Sequence, residues 1–120
     1  PSMRQQTFCR FCLTNSAVVA VNCTENSIDV YDRLTLRKRN SIGTDSETFG
    51  GIHTLDDSSA VVTDHNSHVV CLYNLNTGEP IWTNTRAGHP TGVSSDSEGF
   101  IYVAANDSKQ ICVFSSKGKT

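Results

Sequence analysis

The side chains with the capacity for chemistry in this sequence are four histidines, His53, His65, His68 and His89, and five cysteines, Cys9, Cys12, Cys23, Cys71 and Cys112. Imidazole serves both as a metal ligand and as an acid–base group near neutrality. His65 and His68 share one short stretch with Asn66 and Ser67, but no cysteine, glutamate or third histidine stands at ligand spacing from them. The linear pattern therefore predicts solvent-exposed turn residues. Cys9 and Cys12 have the C-x-x-C spacing of zinc and redox sites. A tetrahedral site needs a second such pair, and the remaining cysteines stand alone. The expectation is free thiols in a reducing, cytoplasmic compartment, because the spacing lacks the density of a small secreted disulfide framework.

Other reaction signatures are missing from the pattern. The serines lie in polar, turn-like stretches with no G-x-S-x-G elbow, and no glycine-rich phosphate loop is present. The sequence predicts no catalytic residue, no metal ligand set and no cofactor. Four basic residues, Arg33, Arg37, Lys38 and Arg39, cluster in "RLTLRKRN" and could meet phosphate. No aromatic residue stands among them for base stacking, and the net charge of −2 gives no overall attraction to nucleic acid. Charge on an outer strand guards an open sheet edge, and that is the role expected of them. The longest uncharged apolar run, Ala17 to Val21, is far too short to span a bilayer.

The elements that position these groups are legible in a repeat. "VAVNCTENSIDVYD" from Val19 aligns without gaps to "VVTDHNSHVVCLYN" from Val61 and "YVAANDSKQICVFS" from Tyr102, at offsets of 42 and 41 residues. One column holds Ile28, Val70 and Ile111, and the next but one holds Val30, Leu72 and Val113. Apolar residues two apart share a strand face. Between the two apolar strands of each repeat lie Asn, Asp and Ser, the residues of tight turns. Each repeat thus centres on a β-hairpin. A further short strand is expected before each hairpin, at Phe8 to Leu13, Gly51 to Leu55 and Gly92 to Asp96. A fourth is expected after the first two, at Thr35 to Ile42 and Pro80 to Thr83. Four short strands per repeat of this length is the pattern of a propeller blade. The fold class is all-β: roughly three four-stranded antiparallel blades, the last incomplete, and half of a ring of about six. Their approximate bounds are 7–43, 49–85 and 89–116 of the chain.

The third repeat, "HPTGVSSDSEGFIYVAANDSKQICVFSSKGK", resembles an NHL repeat. Pro90, Gly92, Val93, Asp96, Gly99, Ile101, Tyr102, Val103, Ala104, Ile111, Val113, Phe114 and Gly118 occupy the matching positions. The second repeat keeps Asp64 but ends in a quinoprotein-like "LNTGEPIW", and the first lacks the glycine pair. The resemblance implies a ring of the kind carried by tripartite-motif proteins, which binds protein or RNA. In such a ring the turns inside the hairpins and the loops between blades share one face. The hairpin turns place Glu25, Asn26, His65, Asn66, His68, Asp107 and Lys109 there, and the inter-blade loops place Asp45, Glu47, Arg86 and His89. This mixture of charges favours a protein or peptide partner.

Three other functions fit the same architecture: part of a propeller enzyme of metal-dependent lyase or lactonase type, an RNA-binding NHL module, or a purely structural assembly unit. Only Asp64 and the column of Asp96 offer carboxylates for the first. An open stack of blades also exposes apolar columns at both ends, where further blades or a second copy of the chain are expected to close the ring. The initial Pro1 and the short third repeat read as cuts in a longer chain.

Overall fold

The computed structural model describes residues 8–46 and 48–119, with side chains from residue 10 onward. Glu47 and the side chain of Cys9 lie outside the described residues. The described chain is a continuous antiparallel meander. Strands β1 (Phe8–Leu13), β2 (Ala17–Asn22), β3 (Ser27–Asp32) and β4 (Lys38–Gly43) form the first sheet in that order. The second sheet runs β5 (Phe49–Asp56), β6 (Ser59–Asp64), β7 (Val69–Asn74) and β8 (Pro80–Asn84), and the third runs β9 (Pro90–Ser95), β10 (Ile101–Ala105) and β11 (Gln110–Phe114). The three hairpins pair in the register the repeat predicts: Val19 opposite Val30, Val61 opposite Leu72, and Tyr102 opposite Val113.

Strand-forming β-branched residues write these ladders, and the faces they present explain the stacking. Val19 and Val21 of the first sheet meet Ile52, Ala60 and Val62 of the second in one core. Val61, Val70 and Leu72 point the other way, onto Ile101, Val103, Ala105 and Phe114 of the third. Every residue of β6 is consequently buried, whereas β10 alternates, burying Ile101, Val103 and Ala105 and exposing Tyr102. A strand buried on both faces lies in a sheet covered on both sides.

The turns repeat as faithfully as the strands. Asn26, His68 and Lys109, at the same position of the three hairpin turns, all take left-handed backbone with φ of 55°, 58° and 55°. After the third strand of each repeat the left-handed position falls to Leu36, Gly78 and Gly118, with φ of 60°, 79° and 78°. Glycine suits that conformation and leucine does not. Asp32 and Asn74 bracket these turns through side-chain bonds to the next backbone amides, Leu34 and Thr35 in one repeat and Asn76 and Thr77 in the next.

Several strand expectations change in extent, the one from Gly92 to Asp96 running Pro90–Ser95 and the one from Pro80 reaching Asn84. The fourth strand of the first repeat starts at Lys38, not Thr35, because residues 33–37 are spent on the turn around Leu36. The strand expected from Gly51 begins at Phe49, so Gly50 and Gly51 lie inside a ladder. Of the basic cluster, Lys38 and Arg39 lie on β4, an edge strand of its sheet, while Arg33 and Arg37 lie in the turn before it. Arg33 donates to the Thr14 carbonyl at 2.9 Å, Arg39 pairs with Asp32 at 3.1 Å, and Lys38 approaches Asp29 at 3.6 Å. These cations spend their charge within the blade.

Candidate functional site

The hairpin turns and inter-blade loops are knitted into one surface by backbone bonds. Thr44 donates to the Asn26 carbonyl at 3.0 Å, His65 to Thr48 at 2.8 Å, Asn106 to His89 at 3.3 Å and Asp107 to Gly88 at 3.2 Å. Each bond joins a hairpin turn to the loop that enters or leaves the same blade. The loop side chains are thus held on a rigid frame.

Within that frame the histidines do not behave as the linear spacing predicts. The expectation of solvent-exposed turn residues does not hold for His65 and His68, which are half-buried and both lie against His89. Their ring centroids are 4.7 and 4.3 Å from that of His89. The backbone N–H of His89 donates to His68 Nδ1 at 2.9 Å, and His89 Nδ1 lies 2.9 Å from the His65 carbonyl oxygen. A carbonyl only accepts, so Nδ1 of His89 carries its hydrogen. On the far side of the ring, Nε2 faces Asp107 Oδ1 at 3.3 Å. His65 Nδ1 is buried and has no hydrogen-bond partner among the described residues. The third histidine missing from local spacing is supplied by the loop before β9, which packing brings against the turn after β6.

Of the other predicted loop-face residues, Asn66 is exposed and donates its backbone N–H to Thr48 Oγ1 at 3.2 Å. Arg86 and Lys109 are exposed nearby in sequence to the cluster, and Glu25 and Asn26 occupy the equivalent turn of the first blade. His53 stands apart from the cluster. Its Nε2 meets Ser95 Oγ at 2.8 Å across two blades, and burial pushes its pKa below the ordinary imidazole value.

A second feature on this face escaped the sequence reading. A cavity of about 220 Å³ opens beside the loop into β5, lined by Asp45, Asp64, Phe49 and Tyr73 among others. Burial opposes ionisation of Asp64, but donors including Thr48 Oγ1 at 2.7 Å and the Ser67 amide at 3.2 Å outweigh it and keep its pKa below the ordinary value. Burial, with the neighbouring Cys71, Asp45 and Asp64, pushes the Tyr73 phenol up to about 12. A neutral phenol beside ionised carboxylates gives the cavity a polar end and no activated nucleophile. Its only sequence signal was the polar tip of an otherwise apolar strand column.

The carboxylates of the enzyme alternative do not converge. Asp64 ends β6 on the loop face, while Asp96 lies in the turn between β9 and β10 at the opposite end of the strands. There Asp96 accepts from the Tyr102 hydroxyl at 2.8 Å and from the Glu98 and Phe100 amides, with Gly99 at φ 90° completing the turn.

The cysteines divide. Cys12, Cys71 and Cys112 are free, and Cys12 Sγ lies 3.3 Å from Thr54 Oγ1. Cys23, in the turn after β2, is disulfide-bonded, so the expectation of free thiols throughout fails at that position. Turns at the end of a ladder bring chain segments together that linear spacing keeps apart. Burial pushes the Cys71 thiol above its ordinary pKa, which leaves it protonated and unreactive.

These sheets, turns and radial packing define three blades of propeller type, the last with three strands. Solved structures agree on the fold. The computationally designed Ika8 protein superposes with a TM-score of 0.75 at 11% identity over 92% of this chain, and the designed Ika4 protein with 0.74 at 11% over 90%. KlHsv2, with its loop 6CD replaced by a Gly-Ser linker, gives 0.70 at 15% over 93%. The chain spans 33%, 65% and 36% of the lengths of these three proteins. No protein-family profile matches the chain, and no curated protein matches it in sequence.

Proposed function

We propose that the chain is a non-catalytic binding module that recognises a protein or peptide through its loop face. The observation that supports this is the bonding of hairpin turns to inter-blade loops, which holds Asn66, His89 and Asp107 on one frame, with Arg86 and Lys109 exposed beside them and a cavity with a polar end on the same face. A rigid frame presenting mixed charge loses little entropy on binding. NHL-type identity is part of the same proposal. It rests on the resemblance of the third repeat, whose Asp-x-x-Gly segment closes a turn on Asp96.

Peptides selected from a random display library against the chain provide the probe. The triple variant Asn66→Ala, Arg86→Ala, Lys109→Ala is expected to weaken the selected peptides about tenfold or more, with Arg37, Lys38 and Arg39 changed to Ala having little effect. If only the second variant abolishes binding, and salt weakens it steeply, the basic edge strand is the site and nucleic acid the better partner.

The end faces support a second element of the proposal, ring closure by blades of the same kind. On the first blade Phe11 and Leu36 are 67% and 66% exposed and border an apolar hollow with Val18, Ala20 and Tyr31. On the third, Ile111 and Val113 are exposed beside Tyr102. Tyr102 occupies the column that Val19 and Val61 use to meet the following blade. In sedimentation at micromolar concentration a discrete dimer is the expected result for closure by a second copy, and open-ended association for closure by further blades. A compact, cooperatively unfolding monomer overturns both.

A further inference from the structure

We propose that His68, His89 and Asp107 bind one divalent transition-metal ion of the zinc class, which ties together the turns of the second and third blades. The three side chains offer ligand atoms that all lie within 4.8 Å of one another. They come from three separate segments: the β6–β7 turn, the loop before β9 and the β10–β11 turn.

The electronic arrangement around His89 calls for a positive charge. Its Nδ1 hydrogen is committed to the His65 carbonyl, so a neutral ring presents the Nε2 lone pair to Asp107 Oδ1 at 3.3 Å. Two electron-rich atoms facing each other at that distance repel unless a cation stands between them. A ring proton would serve two atoms. His68, whose Nδ1 accepts the His89 amide here, supplies a third donor once its ring turns, and three donors from separate segments are what a metal ion uses. Donation of the second ring N–H to a backbone carbonyl is also the usual way a ligating histidine is oriented.

The backbone is shaped to bring these groups together. His89 takes left-handed φ of 45°, uncommon for a residue with a side chain. Gly88 lets Asp107 approach, since a Cβ there would stand 2.8 Å from Asp107 Oδ2 and 2.9 Å from its Cβ. Beside them the His65 ring lies tilted against that of His89, its own Nδ1 buried and without a partner among the described residues.

Two imidazole nitrogens and one carboxylate oxygen form a borderline donor set that suits zinc, cobalt, nickel or copper rather than magnesium or calcium. Three protein ligands leave a further position for water or a ligand. Loading requires two adjustments. The donor atoms, which lie up to 4.8 Å apart, close to the roughly 3.4 Å separation that metal–ligand lengths of about 2.0–2.2 Å impose around a tetrahedral ion. His68 gives up the bond its Nδ1 accepts from the His89 amide, so that a ring lone pair turns to the ion. The cluster is therefore a site that metal uptake tightens, independent of whether the loop face binds peptide.

The test uses the full chain, stripped with chelator and titrated with Co²⁺ as a visible probe and with Zn²⁺ by calorimetry. One equivalent is expected, with the d–d absorption of a low-coordinate site and no thiolate charge-transfer band. His89→Ala and Asp107→Asn are each expected to weaken binding at least about tenfold. Asp107 is 55% exposed, so its substitution leaves folding intact, which circular dichroism checks. His53→Asn, outside the cluster, is expected to bind as the parent does. Absence of stoichiometric binding, binding undiminished in both cluster variants, or a thiolate band pointing to cysteine ligands overturns the proposal.

Discussion

An Asp29→Ala chain is expected to unfold at a markedly lower urea concentration than the parent, with a loss of about 3 kcal/mol or more. Asp29 is fully buried in the first blade. Its carboxylate accepts from Ser41 Oγ at 2.6 Å, Ser27 Oγ at 2.8 Å and Asn22 Nδ2 at 3.0 Å, with Lys38 Nζ at 3.6 Å. Removing the carboxylate takes an acceptor from the buried Ser27 hydroxyl and Asn22 amide, each such loss costing about 1–3 kcal/mol, while the exposed Ser41 hydroxyl turns to water. A lowered midpoint at unchanged slope is the signature; a midpoint equal to the parent's refutes the assignment.

The same residue predicts an acid dependence. Burial alone would raise its pKa, but the three donors and Lys38 together hold it below the ordinary value of 3.8. A depressed folded-state pKa means that the stabilisation is complete above 3.8 and drains away as pH falls through the lower folded value. The parent is expected to lose stability on that acid limb, and the Asp29→Ala chain to show a shallower loss. Cys71 and Cys112 hold the equivalent column in the other blades. There Thr83 Oγ1 approaches Cys71 Sγ at 3.7 Å where Ser41 meets Asp29, a far weaker version of the same contact.

Gly51→Val is expected to separate the second and third blades at a cost of about 3 kcal/mol. A Cβ on Gly51 would stand 2.6 Å from the Thr91 carbonyl oxygen, and one on Gly50 would stand 2.6 Å from that of Pro90. Both obstacles are backbone, so no rotamer change relieves them. Thr63 Oγ1 donates to the Thr91 carbonyl at 2.7 Å in the same gap, and a displaced β9 breaks that bond. Trp82 reports the event. Its indole N–H donates to the Ser116 carbonyl at 3.0 Å and its ring lies 6.3 Å from that of Phe114, so its emission follows docking of the third blade. An early red shift of Trp82 emission under mild denaturant is the expected observation; a parent-like curve shows that the two strands tolerate more space than the backbone geometry allows.

The hairpins were legible in the sequence because strand pairing is local: Val61 meets Leu72 across one short turn, and the repeat states that register three times. Where the chain bends without a marker, legibility fails. Gly78 and Gly118 announce their turns, but Leu36 fills the same left-handed position and let the following strand be read too early. Gly50 and Gly51 misled in the opposite sense. Gly50 read as a loop residue and Gly51 as the start of a strand, and both are instead inside a ladder where two strands nearly touch. The histidine cluster was invisible for a further reason. His89 reaches His65 and His68 only after one blade has turned against the next, a relation between surfaces that residue spacing along the chain does not encode.

The opposed columns of the sheets also determine how the stack comes apart. Each blade is held by its own ladders and by the core it shares with a neighbour, so the free energy is a sum of local and nearest-neighbour parts. Opening the first blade releases only the core built on Val19 and Val21, and opening the third only that built on Ile101 and Phe114. Opening the middle blade surrenders both. Fraying therefore runs inward from the two ends, and β6 is the last strand whose amides exchange with solvent.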